Sequence, residues 1–192
     1  QETDVVDIFK PVTKYCIQLQ DPLRIRYELE KAVFMAKTGR PGPVLIDIPD
    51  NLQRAQIDPD KIEGFVPDLQ AGASKPLESS LAECLRLMEG AERPLIIFGW
   101  GIHLANAEQE AKEFSERLGF PVALTWAMRH LLPEGHPLAV GSFGTHGTRH
   151  GNFTVQNADL ILAIGVRLDT RGAGSPMESF ARAAKKVVVD ID

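Results

Sequence analysis

Two cysteines in 192 residues, Cys16 and Cys84, leave no room for a disulfide framework, and neither stands at metal-ligand spacing. They support a reduced, cytosolic setting. No stretch approaches the roughly 20 apolar residues of a membrane span. Clustered basic charge is missing too: the net charge is -5, and Lys185-Lys186 is the sole adjacent Lys/Arg pair. Phosphate-backbone binding needs such clusters, so nucleic acid is not the expected partner. The chain has no Gly-x-x-x-x-Gly-Lys-[Ser/Thr] loop, no His-Glu-x-x-His and no Gly-x-Ser-x-Gly elbow. Phosphate-loop hydrolases, zinc proteases of that type and serine hydrolases are thereby set aside. Internal repeats and low-complexity tracts are absent as well.

What is present is ordinary for a globular protein: 44% hydrophobic and 24% charged residues. The length favours one domain, or one and a part. The chain starts at Gln1 and stops at Asp192, just after the apolar run Val187-Val188-Val189. Domain ends usually fray into polar tails, so a piece of a longer protein is expected.

Residues 12–19 alternate like a short strand. Asp21-Pro22 then opens a helix, Ile25, Leu29, Ala32, Val33 and Ala36 recur at helical spacing, and Gly39 closes it. Glu28 and Glu30 read as its solvated face. Residues 44–48 are apolar on both sides of Asp47, as in a central parallel strand. This pattern predicts the tail of one α/β domain over residues 1–50. Asp58-Pro59, Pro67, Gly72 and Pro76 then break all periodicity, giving a linker over 51–76. A second unit, 77–192, starts near Leu77. Its predicted helices cover 81–88 (capped by Ser79 or Ser80), 105–118, a short stretch through Val155, and 177–184. Its predicted strands are 95–98, 122–124, 160–164 and 187–191, and the Pro133, Gly135, Pro137 region is a loop. Strands alternating with helices imply a parallel sheet flanked by helices on both faces.

Three turns follow strands in this second unit: Gly99-Trp100-Gly101, Thr125-Trp126, and Gly165-Val166-Arg167. In open parallel sheets ligands bind at the carboxyl ends of strands, where glycine lets the backbone approach a phosphate. A single such turn is often only a strand ending, but three at one sheet edge point to a nucleotide-sized ligand. Arg167, Asp169 and Arg171 cluster after a strand, where two guanidinium groups can hold a diphosphate and Asp169 can orient one of them or meet a ribose. A solvated ion network is the alternative. Asp190 ends the last strand, suited to a ribose or adenine edge, or to a helix cap. His146 lies between Gly144-Thr145 and Gly147; with no second His or Cys at ligand spacing, a metal role is rejected. Trp100 and Trp126 are predicted either to wall one cleft or to pack in the core.

Together these residues resemble the thiamine-diphosphate-dependent decarboxylase and carboligase superfamily, nearest to the acetolactate synthase large-subunit group. The resemblance rests on Gly39-Arg40-Pro41-Gly42-Pro43-Val44, Gly144-x-His146-Gly147-Thr148, Gly165-Val166-Arg167-x-Asp169-x-Arg171 and Asp190-Ile191-Asp192. It implies that 1–50 ends a pyrimidine-binding domain and that 77–192 is a Rossmann-like central domain with a six-stranded parallel sheet. It also implies FAD or ADP in that domain, with contacts from Arg40, Gly99, Gly101, Thr125, Trp126, Gly144, His146, Gly165, Arg167, Asp169, Arg171, Asp190 and Ile191.

The same resemblance implies thiamine diphosphate and Mg2+ in the parent protein, a 2-keto acid substrate, decarboxylation with transfer to a second carbonyl, and a homodimer or tetramer. The family's catalytic Glu and its Gly-Asp-Gly…Asn motif do not occur here, so no catalytic residue and no metal ligand are assigned, and the isolated chain is expected to be inactive. The partners implied are the other domains of the same polypeptide. A stand-alone nucleotide-binding or assembly module is the alternative. A sirtuin-like deacetylase would carry four zinc cysteines, against two here. This chain departs from the family pattern at Trp100, which replaces the middle residue of a Gly-Gly-Gly turn, at Thr170 in place of a second Asp, and at Asp50 in place of Lys.

Overall fold

A computed structural model describes residues 3–68 and 78–191. The expectations placed on Gly72, Pro76, Leu77 and Asp192 lie outside the described residues. The chain divides into two compact units, Gln1–Ser74 and Lys75–Ile191.

The first unit is a small β-α-β arrangement. Helix α1 (Val5–Phe9) precedes strand β1 (Tyr15–Gln18); helix α2 (Ile25–Lys37) leads to β2 (Val44–Asp47), and α3 (Asp50–Gln53) follows. The strands pair in parallel from Tyr15↔Val44 to Gln18↔Asp47. Asp21 caps the entry to α2 by accepting the Leu23 N–H at 2.9 Å, with Pro22 in the first turn. Residues beyond α3 return to α2: Ile62 is buried, and the Phe65 ring packs edge-on against Tyr27 at 5.4 Å. Glu30 is partly exposed, as expected, but the Glu28 side chain is only 12% exposed and accepts a hydrogen bond from the Tyr15 hydroxyl. The solvated-face reading therefore fails for Glu28: β1 lies under that flank of α2.

The second unit is a five-stranded parallel sheet. Helix α4 (Glu78–Glu89) leads to β3 (Pro94–Phe98), α5 (Gly101–Leu104), α6 (Glu108–Leu118), β4 (Val122–Leu124), β5 (Ala139–Ser142), α7 (Arg149–Asn157), β6 (Leu160–Ile164), α8 (Thr170–Ala173) and β7 (Lys185–Val189). The order is β5-β4-β3-β6-β7. In β3, Leu95, Ile96, Ile97 and Phe98 are fully buried, each contributing about 1.5–3 kcal/mol of hydrophobic stabilisation. Alternation splits them between the two faces. Leu95 and Ile97 join Ala123, Ile161 and Ala163 on one side; Ile96 and Phe98 join Val122, Leu124 and Leu162 on the other.

The sheet has five strands among the described residues, one fewer than the six implied by the family resemblance. One of the five, β5, falls where a loop was expected. It is a four-residue edge strand, and its pairing with β4 slips between Val122↔Ala139 and Leu124↔Ser142. Gly141 at φ 82° supplies the bulge. So short and kinked a segment, following Pro133, Gly135 and Pro137, carries no period-two signal. The expected helix at 105–118 starts only at Glu108, and Asn106 at φ 53° separates it from the short α5 before it. Ser79 and Ser80 lie inside α4 instead of capping it. The expected helix at 177–184 shrinks to one 3-10 turn, Met177–Ser179. Phe180 and Ala181 are buried there, and Phe180 packs on Phe143 at 6.2 Å. Core anchoring overrides the helix propensity of that stretch.

Candidate functional site

Counted in chain order within the second unit, the five strands run 3-2-1-4-5. The order reverses between β3 and β6. In open parallel sheets such a switch point, beyond the carboxyl ends of the strands, is where ligands bind. Gly99-Trp100-Gly101 follows β3 and Gly165-Val166-Arg167 follows β6, so both turns border this point.

Backbone approach joins the two turns. The Gly101 N–H donates to the Gly165 carbonyl at 3.0 Å. A Cβ on Gly99 would lie 2.4 Å from the Gly165 oxygen, and one on Gly101 would lie 2.6 Å from the Gly165 Cα. These glycines are therefore required by turn-on-turn packing. Gly144 behaves similarly: its φ is 88°, and a Cβ there would meet the Arg171 carbonyl at 2.5 Å. Asn152 on α7 clasps it, accepting the Gly144 N–H at 2.8 Å and donating to its carbonyl at 3.1 Å. The Thr145 N–H and hydroxyl both donate to the Arg171 carbonyl. Thr148 caps α7 by accepting the Gly151 N–H at 3.1 Å, which holds the Gly144–Gly147 turn at the end of β5.

Asp169 serves as the cap of α8. One carboxylate oxygen accepts the backbone N–H groups of Arg171 at 3.0 Å and Gly172 at 3.1 Å, and the other faces the Arg167 guanidinium at 3.5 Å. The Gly172 N–H leads the effects that hold this carboxyl below its usual range; burial opposes it, and the Arg171 N–H and Arg167 outweigh that opposition. Both Arg167 and Arg171 are exposed. Thr125, at the end of β4, donates its N–H to the Phe98 carbonyl. Its hydroxyl is buried and has no hydrogen-bond partner among the described residues. Leaving such a group unmade costs about 1–3 kcal/mol, which makes the strand end polar and ready for an acceptor or donor from outside the protein.

The structure thus brings Gly99, Gly101 and Gly165 together, links Gly144 to Arg171, and ties Arg167 to Asp169. Trp126 is exposed after β4, and His146 is exposed in the turn after β5. Asp190 follows β7 directly and accepts the Ile191 N–H at 2.8 Å. Arg40 belongs to the first unit, in the turn between α2 and β2. Trp100 packs its ring on His103, with centroids 4.1 Å apart.

A second polar constellation escaped the sequence reading. His103 at the end of α5, Glu108 at the start of α6 and His130 beyond the β4 turn place their ligand atoms within 4.8 Å of one another. His103 and Glu108 are five apart, off the usual i, i+4 spacing, and His130 joins them only through the fold. No helix among the described residues is long and apolar enough to cross a membrane.

Comparison with known proteins follows the same lines. The family described as "Thiamine pyrophosphate enzyme, central domain" matches residues 81–192. The acetolactate synthase large subunit of Corynebacterium glutamicum is 38% identical over 197 residues, covering 100% of this chain and 30% of that protein. A probable acetolactate synthase large subunit of Methanocaldococcus jannaschii is 35% identical over 200 residues, covering 33% of its own length. A probable chloroplastic acetolactate synthase 2 of Oryza sativa subsp. japonica is 38% identical over 197 residues, covering 29%. The chain thus spans about a third of the length of these relatives.

Proposed function

Because this chain belongs to the thiamine pyrophosphate enzymes through their central domain, we propose that it serves an acetolactate synthase-like 2-keto acid decarboxylase and carboligase. In this reading residues 1–50 end the pyrimidine-binding domain, 51–76 form the linker and 77–192 form the central domain. Thiamine diphosphate and Mg2+ belong to further domains of the same polypeptide; thiamine diphosphate, when bound, supplies the electron sink for decarboxylation. The working protein is a cytoplasmic homodimer or tetramer. Neither the catalytic Glu nor the Gly-Asp-Gly…Asn motif of the family occurs in this sequence, so the part played by this chain is binding and support.

That part is to hold FAD or ADP at the switch point. The observation that carries the reading is the reversal of strand order at two glycine turns beside the unpaired, buried Thr125 hydroxyl. The residues present fit a dinucleotide. Arg167 and Arg171 offer two exposed guanidinium forks for the diphosphate, and the Asp169 cap fixes the backbone between them. Thr125 offers a hydrogen bond that the protein itself leaves unmade. Gly99, Gly101, Gly144 and Gly165 set the turns, while Trp126, His146, Asp190 and Ile191 complete the proposed contact set in this unit.

Titration of the chain with ADP and with FAD, followed by calorimetry, tests the reading. Saturable one-to-one binding is expected, weakened about tenfold or more in Arg167→Gln and in Arg171→Gln, as the loss of a charge-assisted hydrogen bond implies. Absence of binding by both nucleotides at millimolar concentration, in a folded chain, refutes it. Absence of acetolactate formation by the longest polypeptide that contains this sequence would instead favour a non-catalytic nucleotide module.

A further inference from the structure

We propose that His103, Glu108 and His130 bind a borderline transition-metal ion, of the Zn2+ class, against the turns that follow β3 and β4. The Nδ1 atom of His103 is 2.6 Å from Glu108 Oε1, and Nε2 of His130 is 3.1 Å from the same oxygen. All three ligand atoms lie within 4.8 Å of one another. Tetrahedral Zn2+ with bonds near 2.0–2.1 Å sets its ligand atoms about 3.3 Å apart. The His103, Glu108 and His130 side chains are all partly exposed, which leaves them room to adjust to that spacing.

Ligand chemistry selects the ion. Two imidazoles and one carboxylate suit Zn2+, Co2+, Ni2+ or Cu2+, whereas Mg2+ and Ca2+ require oxygen donors. Three protein ligands leave a fourth position for water. The site is held from two sides. The Trp100 indole lies on the His103 ring at 4.1 Å and 31°, and His130 stands edge-on to both rings, at 6.5 Å from Trp100 and 6.3 Å from His103. A metal-bound imidazole carries its proton on the far nitrogen and presents its lone pair to the ion. The ion would join α5, the start of α6 and the segment after β4, which are otherwise tied here by side-chain hydrogen bonds.

The test is titration of the full, chelator-treated chain with CoCl2, read by visible absorption, and with ZnCl2 in competition. One equivalent is expected to bind, with the intense d–d bands of a four-coordinate site. His103→Gln, Glu108→Gln and His130→Gln should each weaken binding about tenfold or more, the loss expected when a ligand is removed. His136→Gln and His150→Gln, which alter histidines outside the cluster, should leave it unchanged. The proposal is overturned if the wild-type chain takes up neither ion at 100-fold molar excess. It is equally overturned if the His103→Gln/His130→Gln double variant, folded by circular dichroism, binds as tightly as wild type. Nucleotide titration is a separate readout, so failure of this site is distinguishable from failure of the switch-point reading.

Discussion

Gly165→Ala measures how strongly the two switch-point turns depend on backbone contact. Gly165 holds φ at 63°, and an added Cβ would lie 2.8 Å from the Ile102 nitrogen and 2.9 Å from the Gly101 Cα. The left-handed conformation costs a non-glycine residue about 1–2 kcal/mol. The obstructing atoms are main chain, so they cannot swing aside as a side chain would, and overpacking adds about 1–3 kcal/mol. A total loss of about 2–5 kcal/mol follows. Gly119 provides the control: it caps α6 at φ 66°, but a Cβ there has nothing within 4 Å. Gly119→Ala should therefore lose only the conformational part, about 1–2 kcal/mol. Both tryptophans, Trp100 and Trp126, lie in the second unit, so tryptophan emission during urea unfolding follows that unit alone. At about 2–4 °C per kcal/mol for a chain of this size, the melting temperatures of the two variants should also separate by several degrees. Equal losses for Gly165→Ala and Gly119→Ala would refute the packing argument, since only the clash distinguishes them.

Three further outcomes are expected. Thr125→Val removes a buried hydroxyl that lacks a partner; thermal melting should show unchanged or slightly raised stability, up to about 1 kcal/mol, while ADP and FAD titration should show weaker binding. Asp159 accepts the N–H groups of Glu92 and Arg93, each at 2.9 Å. Burial, the largest single effect, pushes its carboxyl up, but those two N–H groups and the Arg93 charge outweigh it, and the net direction is down. A folded-state pKa below the unfolded one contributes stability that is complete above the unfolded value, near 3.9, and is lost as pH falls through the folded one. Asp159→Asn should thus melt earlier than wild type at pH 7, and the gap should narrow towards pH 3; a gap that widens on acidification contradicts this. In the first unit, burial and then the Glu28 carboxylate hold the Tyr15 phenol above its ordinary range. Tyr15→Phe leaves that carboxylate with one partner fewer, at about 1–2 kcal/mol, and amide exchange in β1 and β2 should accelerate.

Four strands of the second unit and its long helices were readable because their signals are local. Val122–Leu124 and Leu160–Ile164 are apolar runs bounded by Gly, Pro or Asp, and they fall where expected. The last strand was read two residues late, since Lys185 and Lys186 look like loop residues; they are edge positions, and Lys186 turns its amine to the Ala181 and Ala184 carbonyls. What stayed hidden depends on distant partners. The β5 edge strand is defined by its bulged pairing with β4. The Phe180 anchor is defined by the core below it, and the His103–Glu108–His130 cluster by three turns that only the fold assembles. Asp169 was read as an orienting or ribose-binding group, and it does face Arg167, but its main occupation is the α8 cap. That was hidden because the helix it caps is only four residues long.

The departure at Trp100 shows how one turn divides the demands on its residues. Positions 99 and 101 tolerate no Cβ, because the Gly165 turn lies against their backbone at 2.4 Å and 2.6 Å. Position 100 is different. Its backbone sits at φ -59° and ψ -18°, an ordinary right-handed conformation open to any residue. Its side chain stacks on His103, and it is 42% exposed. A tryptophan in the middle of a glycine turn is therefore compatible with the packing that creates the switch point. Only the outer two are fixed by contact, so the middle position is free to take a side chain suited to the adjacent His103, Glu108 and His130.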